Sequence, residues 1–198
     1  MLATKEELTE LDNLKSAKLL VISDSHGDHS ILNYAVENYG RDCDALLFLG
    51  DGISDLFSII ESNYHVPKDI SIIPPVVAFV RGNGDDSVYS LFTDENHRIE
   101  IPENEIISVC GKKFFLTHGH RFGVYYSRDT LLDYVRTHGC SAGLFGHTHV
   151  PYQERFDDDV LLFNPGSCAR PRNYSDKSCA VLTVTRDSPV IEYSFYSL

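Results

Sequence analysis

The chain has 198 residues and a formal net charge of −12, with 42% hydrophobic and 23% charged residues. That length can bury a sizeable single core and the composition is that of a soluble globular domain, while an acidic balance with no basic patch against it disfavours strong binding of nucleic acid through its phosphates. No apolar run nears the roughly 18 residues of a membrane span, and the five cysteines (Cys43, Cys110, Cys140, Cys168, Cys179) form no C-x-x-C pair, which fits reduced thiols in a cytoplasm rather than a disulfide framework or thiolate zinc site.

Residues 1–17, MLATKEELTELDNLKSA, are interrupted by acidic residues and lack the apolar stretch of a secretion signal. They predict an amphipathic helix: Thr4 and Glu7 form a capping box, and Leu8, Leu11 and Leu14 recur at helical spacing. This helix reads as an extension ahead of a single domain over 18–198, packed on that domain or serving a contact in a homo-oligomer. KLLVIS (18–23), ALLFLG (45–50) and VVAFV (76–80) are short apolar runs without polar alternation, as in parallel strands covered on both faces. Residues 30–40 and 53–62 read as crossover helices between them. From about residue 97 the texture changes to strands and turns. HRIEIP (97–102) reads as a strand, and hairpins are expected at Gly111-Lys112, Asp157-Asp159 and Asp187-Pro189. A helix over 127–139 interrupts them, with Ser127 or Asp129 as N-cap and Gly139 as its stop. A βαβ half followed by a mixed half implies two packed mixed sheets flanked by helices, an α/β/β/α sandwich.

Five of these strands end in polar, metal-type side chains beside glycine. VISDSHGD brings Asp24 and His26, LFLGDG brings Asp51, AFVRGNGDD brings Asn83, FFLTHGH brings His118 and His120, and LFGHTHVP brings His147 and His149. If such a segment stays extended, residues two apart project to the same side, so His147 and His149 point together. Each piece alone has an ordinary reading: a turn dipeptide, a helix N-cap, a polar strand end. Together they lie where α/β sheets gather their sites, at the carboxyl ends of strands. His65, His97 and His138 have no such setting and read as surface or helix-end residues. The donor set is oxygen and nitrogen without thiolate, suited to Mn, Fe, Zn, Ni or Mg. Seven ligands (Asp24, His26, Asp51, Asn83, His118, His147, His149) are too many for one ion and fit two that share a carboxylate. Two ions about 3.5–4 Å apart suit in-line phosphoryl displacement and acidify a bridging water. Asp24 and Asp51 offset only half of the charge of two divalent ions, so an acidic chain can still present a local anion trap.

DSHGD, LGD, RGNGD, LTHGH, GHTHVP and FNPGSCARPR together resemble the calcineurin-like metallophosphoesterase superfamily, and within it the YfcE-like phosphodiesterase group, which is related to a retromer subunit of the same fold. The resemblance implies an α/β/β/α sandwich and a phosphodiesterase in which a metal-bridging hydroxide attacks a small or nucleotide-like diester. It implies one ion on Asp24, His26, Asp51 and His149, and a second on Asp51, Asn83, His118 and His147, with Asp51 as the bridge. The cofactor is then a pair of divalent ions, Mn²⁺ first, with Ni²⁺, Fe²⁺, Zn²⁺, Co²⁺ or Mg²⁺ as alternatives.

The superfamily's proton-donating histidine after the asparagine is Gly84 here; YfcE-like chains commonly carry cysteine there. Asp85 loses the histidine it would orient and reads as a cap on its loop. His120 is a candidate substrate contact or substitute acid against a plain turn histidine, and Arg172 beside the NPGS stretch (164–167) is a candidate phosphate contact. A phosphomonoesterase or protein phosphatase on the same fold, and a non-catalytic scaffold like the retromer subunit, are the alternative functions. The missing acid disfavours the first, and the complete ligand set disfavours the second.

Overall fold

β1 (Ser16–Ile22), β2 (Ala45–Phe48) and β3 (Val76–Phe79) form where the chain is continuously apolar. In the computed structural model, which describes residues 1–67, 70–91 and 98–198, they pair in parallel. β11 (Ser178–Thr185) and β12 (Glu192–Ser197) add antiparallel to β1, giving the order β12-β11-β1-β2-β3. The second sheet is built from β6 (Asn104–Val109), β7 (Lys112–Thr117), β8 (Ala142–Leu144), β9 (Tyr152–Arg155) and β10 (Leu161–Asn164), in the order β6-β7-β8-β10-β9. Its three central strands run parallel, and the two edge strands run against them.

Strand periodicity divides the apolar residues between layers. Leu19, Val21 and Leu47 face Phe114, Leu116, Leu144 and Phe163 between the sheets. Their neighbours Leu20, Ile22, Leu46 and Phe48 face outward onto Leu32 and Val36 of α2 (His29–Tyr39) and Leu56 and Phe57 of α3 (Ile53–Ser62). On the far side, Phe115 and Leu162 meet Leu131, Leu132 and Val135 of α4 (Asp129–Thr137). The four layers are α/β/β/α, as expected.

α1 (Lys5–Asn13) carries the expected capping box and buries Leu11 in the core between the sheets. Its last turn has no basic residue, and Arg186 from the β11–β12 connection donates to the Asp12 and Leu14 carbonyls instead. The β6–β7 hairpin turns on Cys110 and Gly111, both at positive φ (51° and 77°), one residue earlier than expected. A two-residue loop of this kind suits the twist of a hairpin. β5 (Arg98–Glu100) falls within the expected strand at HRIEIP but pairs with β4 (Val88–Ser90) in a separate small sheet. His97 lies outside the described residues. Neither expected N-cap of α4 holds that position: the cap is Arg128, between them, and the Ser127 hydroxyl accepts the Asp129 N–H at 3.0 Å. Among the described residues no helix is long and apolar enough to cross a membrane.

Candidate metal centre

β1, β2, β3, β7 and β8 all deliver their carboxyl ends to one edge of the sandwich, and the loops that follow carry the predicted residues. The conformation of those loops differs from the extended one expected. β8 ends at Leu144, and His147 and His149 each adopt a left-handed conformation, at φ 67° and 61°. Asp24 (60°), His26 (46°) and Asp51 (55°) do the same. A side chain in that region costs about 1–2 kcal/mol. Bonds between loops hold it there: the Asp24 N–H donates to Gly50, His26 to Asp51, and His147 to the Asp24 carboxylate at 3.1 Å. The bends also require close approach. A Cβ on Gly146 would sit 2.0 Å from the Ser23 hydroxyl, and one on Gly82 1.9 Å from the Asp51 carboxylate.

The side chains converge in two overlapping groups, Asp24–His26–His149 and Asp24–Asp51–His118, each with ligand atoms within 4.8 Å of one another. Asp24 Oδ1 lies 3.2 Å from His149 Nε2, 3.8 Å from His26 Nε2 and 3.9 Å from His118 Nε2. Asp51 Oδ2 lies 3.7 Å from His26 Nε2 and 3.5 Å from His118 Nε2. Asp24 spends its other oxygen on the Ser23 hydroxyl and the His147 N–H, so Oδ1 is buried without a hydrogen-bond partner, as is His118 Nε2. Two rings are oriented from behind: His118 Nδ1 bonds the Leu49 carbonyl at 2.7 Å, and His149 Nδ1 the Arg170 carbonyl at 2.5 Å. A carbonyl fixes the proton on Nδ1 and turns a lone pair on Nε2 inward, which is how ligating histidines are held. Orphaned buried donor atoms in an Asp/His set fit a divalent metal.

The electrostatics agree. Burial disfavours charge on Asp51, but His118, the Gly84 N–H and His26 outweigh it and hold the carboxyl well below its usual range. Burial likewise opposes protonation of His118 and His149, and the Asp24 and Asp51 carboxylates override it, raising both. At His147 the same two carboxylates are outweighed. Burial and the neighbouring His118 push it down to about 4.

His147 and His120 stand at the rim of this cluster. The His147 ring is 5.0 Å from that of His118, and His120, in a short 3-10 turn (His120–Phe122), is 5.5 Å from His118 and 6.0 Å from His147. Asn83 is exposed, and among the described residues its side chain makes no hydrogen bond to the cluster; its neighbour Gly84 donates its N–H to Asp51 Oδ1 at 2.7 Å. Arg172 lies one loop away, its N–H on the His149 carbonyl at 3.1 Å. His65 is exposed and His138 caps the end of α4, as expected.

Three supporting groups carried little or no role in the sequence reading. Asp85 accepts four backbone N–H groups, from Asp51, Gly52, Ile53 and Gly82, and so ties the Asp51 loop to the start of α3. The cap it was expected to form thus spans two loops. Asp55 accepts the Ser25 hydroxyl at 2.5 Å and the Gly27 N–H at 2.9 Å, fixing the bend that presents His26; an acid in the first turn of α3 was its only signal. In the NPGS stretch, the Ser167 hydroxyl donates to the Asp24 carbonyl at 2.8 Å and the Asn164 amide to the Gly146 carbonyl at 2.8 Å. That stretch is a brace beneath two ligand loops.

Residues 18–187 match the calcineurin-like phosphoesterase superfamily domain. The chain belongs to that superfamily. A superfamily relative, the probable metallophosphoesterase YsnB of Bacillus subtilis, is 28% identical over 178 residues, covering 88% of this chain and 89% of its own. The phosphodiesterase YfcE of Escherichia coli K12 is 26% identical over 175 residues, covering 83% and 86%. The solved structure of YfcE superposes with a TM-score of 0.57 at 20% identity, over 91% of this chain and 98% of that one. Vacuolar Protein Sorting 29 from Cryptosporidium parvum shares the fold, with a TM-score of 0.66 at 17% identity over 93% and 100%. The superfamily fold therefore accounts for the whole sandwich, and a candidate metal centre sits where its strands end.

Proposed function

We propose that the chain is a two-metal phosphodiesterase acting on a small or nucleotide-like diester. The observation that carries this reading is the buried, unpaired pair Asp24 Oδ1 and His118 Nε2 at the meeting point of two ligand groups. Asp24, His26, Asp51 and His149 would hold one ion, and Asp51, Asn83, His118 and His147 the other; Mn²⁺ is the ion proposed first. When bound, such ions neutralise phosphoryl oxygens and make a water acidic enough to act as the nucleophile at neutral pH.

The remaining work falls to this chain's own residues. His118 and His149 are pre-oriented by carbonyls, so binding costs them little reorganisation. His120 stands at the rim, its ring 6.0 Å from that of His147, and its role in this reading is to touch a phosphoryl oxygen or deliver a proton to the departing one. Arg172, whose backbone N–H meets the His149 carbonyl, would add positive charge near the ligand loop. Gly84 brings no proton to the leaving oxygen, which favours diesters of acidic alcohols over phosphomonoesters. The five buried thiols support a reducing, cytoplasmic setting.

The test is hydrolysis of bis(p-nitrophenyl) phosphate by metal-stripped protein reconstituted in turn with Mn²⁺, Ni²⁺, Fe²⁺, Zn²⁺, Co²⁺ and Mg²⁺. Activity abolished by stripping and restored by a transition metal is the expected result. Full activity after verified removal of metal overturns the reading.

A further inference from the structure

Behind the loop that carries His147 and His149 lies a cleft of about 170 Å³ lined by Tyr125, Arg128, Thr148, Val150, Arg172 and Asn173. Its wall is joined to the ligand loop. The Tyr125 hydroxyl donates to the His147 carbonyl at 3.0 Å, and its ring stands 4.8 Å from the His147 ring. Thr148, between the two histidines, lines the cleft directly.

Five other arginines of this acidic chain are engaged elsewhere. Arg81 and Arg121 pair with Glu103, Arg136 pairs with Asp158, and Arg155 and Arg186 donate to backbone carbonyls. Arg128 and Arg172 have no carboxylate partner among the described residues, and no acidic residue lines the cleft. Arg128 Nε is buried without a hydrogen bond. Each guanidinium lies against a tyrosine ring, Arg128 over Tyr152 at 4.7 Å and Arg172 over Tyr125 at 5.7 Å. Contact through the face holds the plane and leaves N–H edges free for a bidentate oxyanion. Asn173 of the lining and its neighbour Tyr174 are both left-handed, at φ 53° and 59°, with Tyr174 fully exposed. Strain of that kind gathers at binding sites.

We propose that this cleft is the subsite for a second phosphate of the substrate, carried on the same molecule as the scissile diester. The proposal rests on the diesterase reading above and narrows its substrate class to phosphorylated, nucleotide-like diesters. Two guanidiniums beside an anion-binding metal centre, each with one face on a tyrosine ring, present N–H edges suited to a second oxyanion.

Thymidine 5′-(p-nitrophenyl phosphate) and its 3′-phosphorylated counterpart release the same nitrophenolate and differ only in the second phosphate. The metal-loaded wild type should prefer the 3′-phosphorylated ester by about tenfold or more in kcat/KM. Arg128→Gln and Arg172→Gln should each cut that preference at least threefold, and the double variant should bring it near one. Arg128→Lys should fall between, and Arg136→Gln, in the last turn of α4 and paired with Asp158, should keep the wild-type preference. A wild type without preference, or a double variant that retains it, overturns the proposal, as does equal loss in Arg136→Gln. If neither ester is hydrolysed with any metal, the diesterase reading fails separately. Calorimetry with thymidine 3′,5′-bisphosphate against thymidine 5′-monophosphate then decides the subsite: tighter binding of the bisphosphate, lost in the double variant, upholds it, and equal binding overturns it.

Discussion

Asp51 carries more of the centre's electrostatics than its one turn position suggests. Its Oδ2 faces His26 and His118, its Oδ1 takes the Gly84 N–H, and its backbone sits in a left-handed bend. If Asp51 bridges two cations as proposed, Asp51→Asn removes the charge from between them and should lower kcat on a nitrophenyl diester by at least about 10²-fold, with loss of one bound ion. A variant that turns over normally and still holds two ions would reduce Asp51 to a turn residue. Gly84 supplies a second prediction. Without an acid here, rates should fall steeply as leaving-group pKa rises. Both oxygens of Asp85 are already occupied by backbone N–H groups, so Asp85 has none left to orient an imidazole introduced by Gly84→His. That substitution should leave the dependence steep. A wild-type aryl-ester series that is flat while chemistry is rate-limiting would mean that another group, His120 first, already supplies the proton. At this scale, residue types and spacing made the cluster legible. The left-handed backbone of Asp24, His26, His147 and His149 was not, because extended and bent D-x-H or H-x-H segments have the same side-chain pattern.

The elements that position the site are short parallel strands, and their loops are held by side chains from neighbouring connections. α3 has no capping side chain of its own, and Asp85 from the β3 loop performs that role for Gly52 and Ile53 while also gripping Asp51 and Gly82. Asp85→Ala leaves four N–H groups without this partner and should cost about 3 kcal/mol in urea unfolding, with Asp85→Asn milder. A change below about 0.5 kcal/mol would show that the loops hold without it. Continuous apolar runs revealed β1, β2 and β3, and helical spacing revealed α1 and α4. β4 was hidden: three residues with alternating exposure are too few to display a period. The Asp85 and Asp55 contacts were hidden for another reason, since each joins segments some 30 residues apart whose meeting depends on the finished sheet.

Across the whole molecule, three apolar layers are separated by two sheets, and every cysteine lies within or against them. Burial pushes the Cys43 and Cys179 thiols up to about 12 and raises Cys110, Cys140 and Cys168 as well. A thiol reagent at neutral pH should therefore label almost none in the native state and all five after denaturation. Rapid native labelling would contradict this packing. A two-ion centre for diester hydrolysis at the strand ends of this sandwich is decided by titrating metal-stripped protein with Mn²⁺, with bound ions per chain and bis(p-nitrophenyl) phosphate hydrolysis measured on the same samples. Binding should saturate at two ions per chain, with activity following the second; saturation at one ion with full activity, or full activity with none, overturns the two-ion centre.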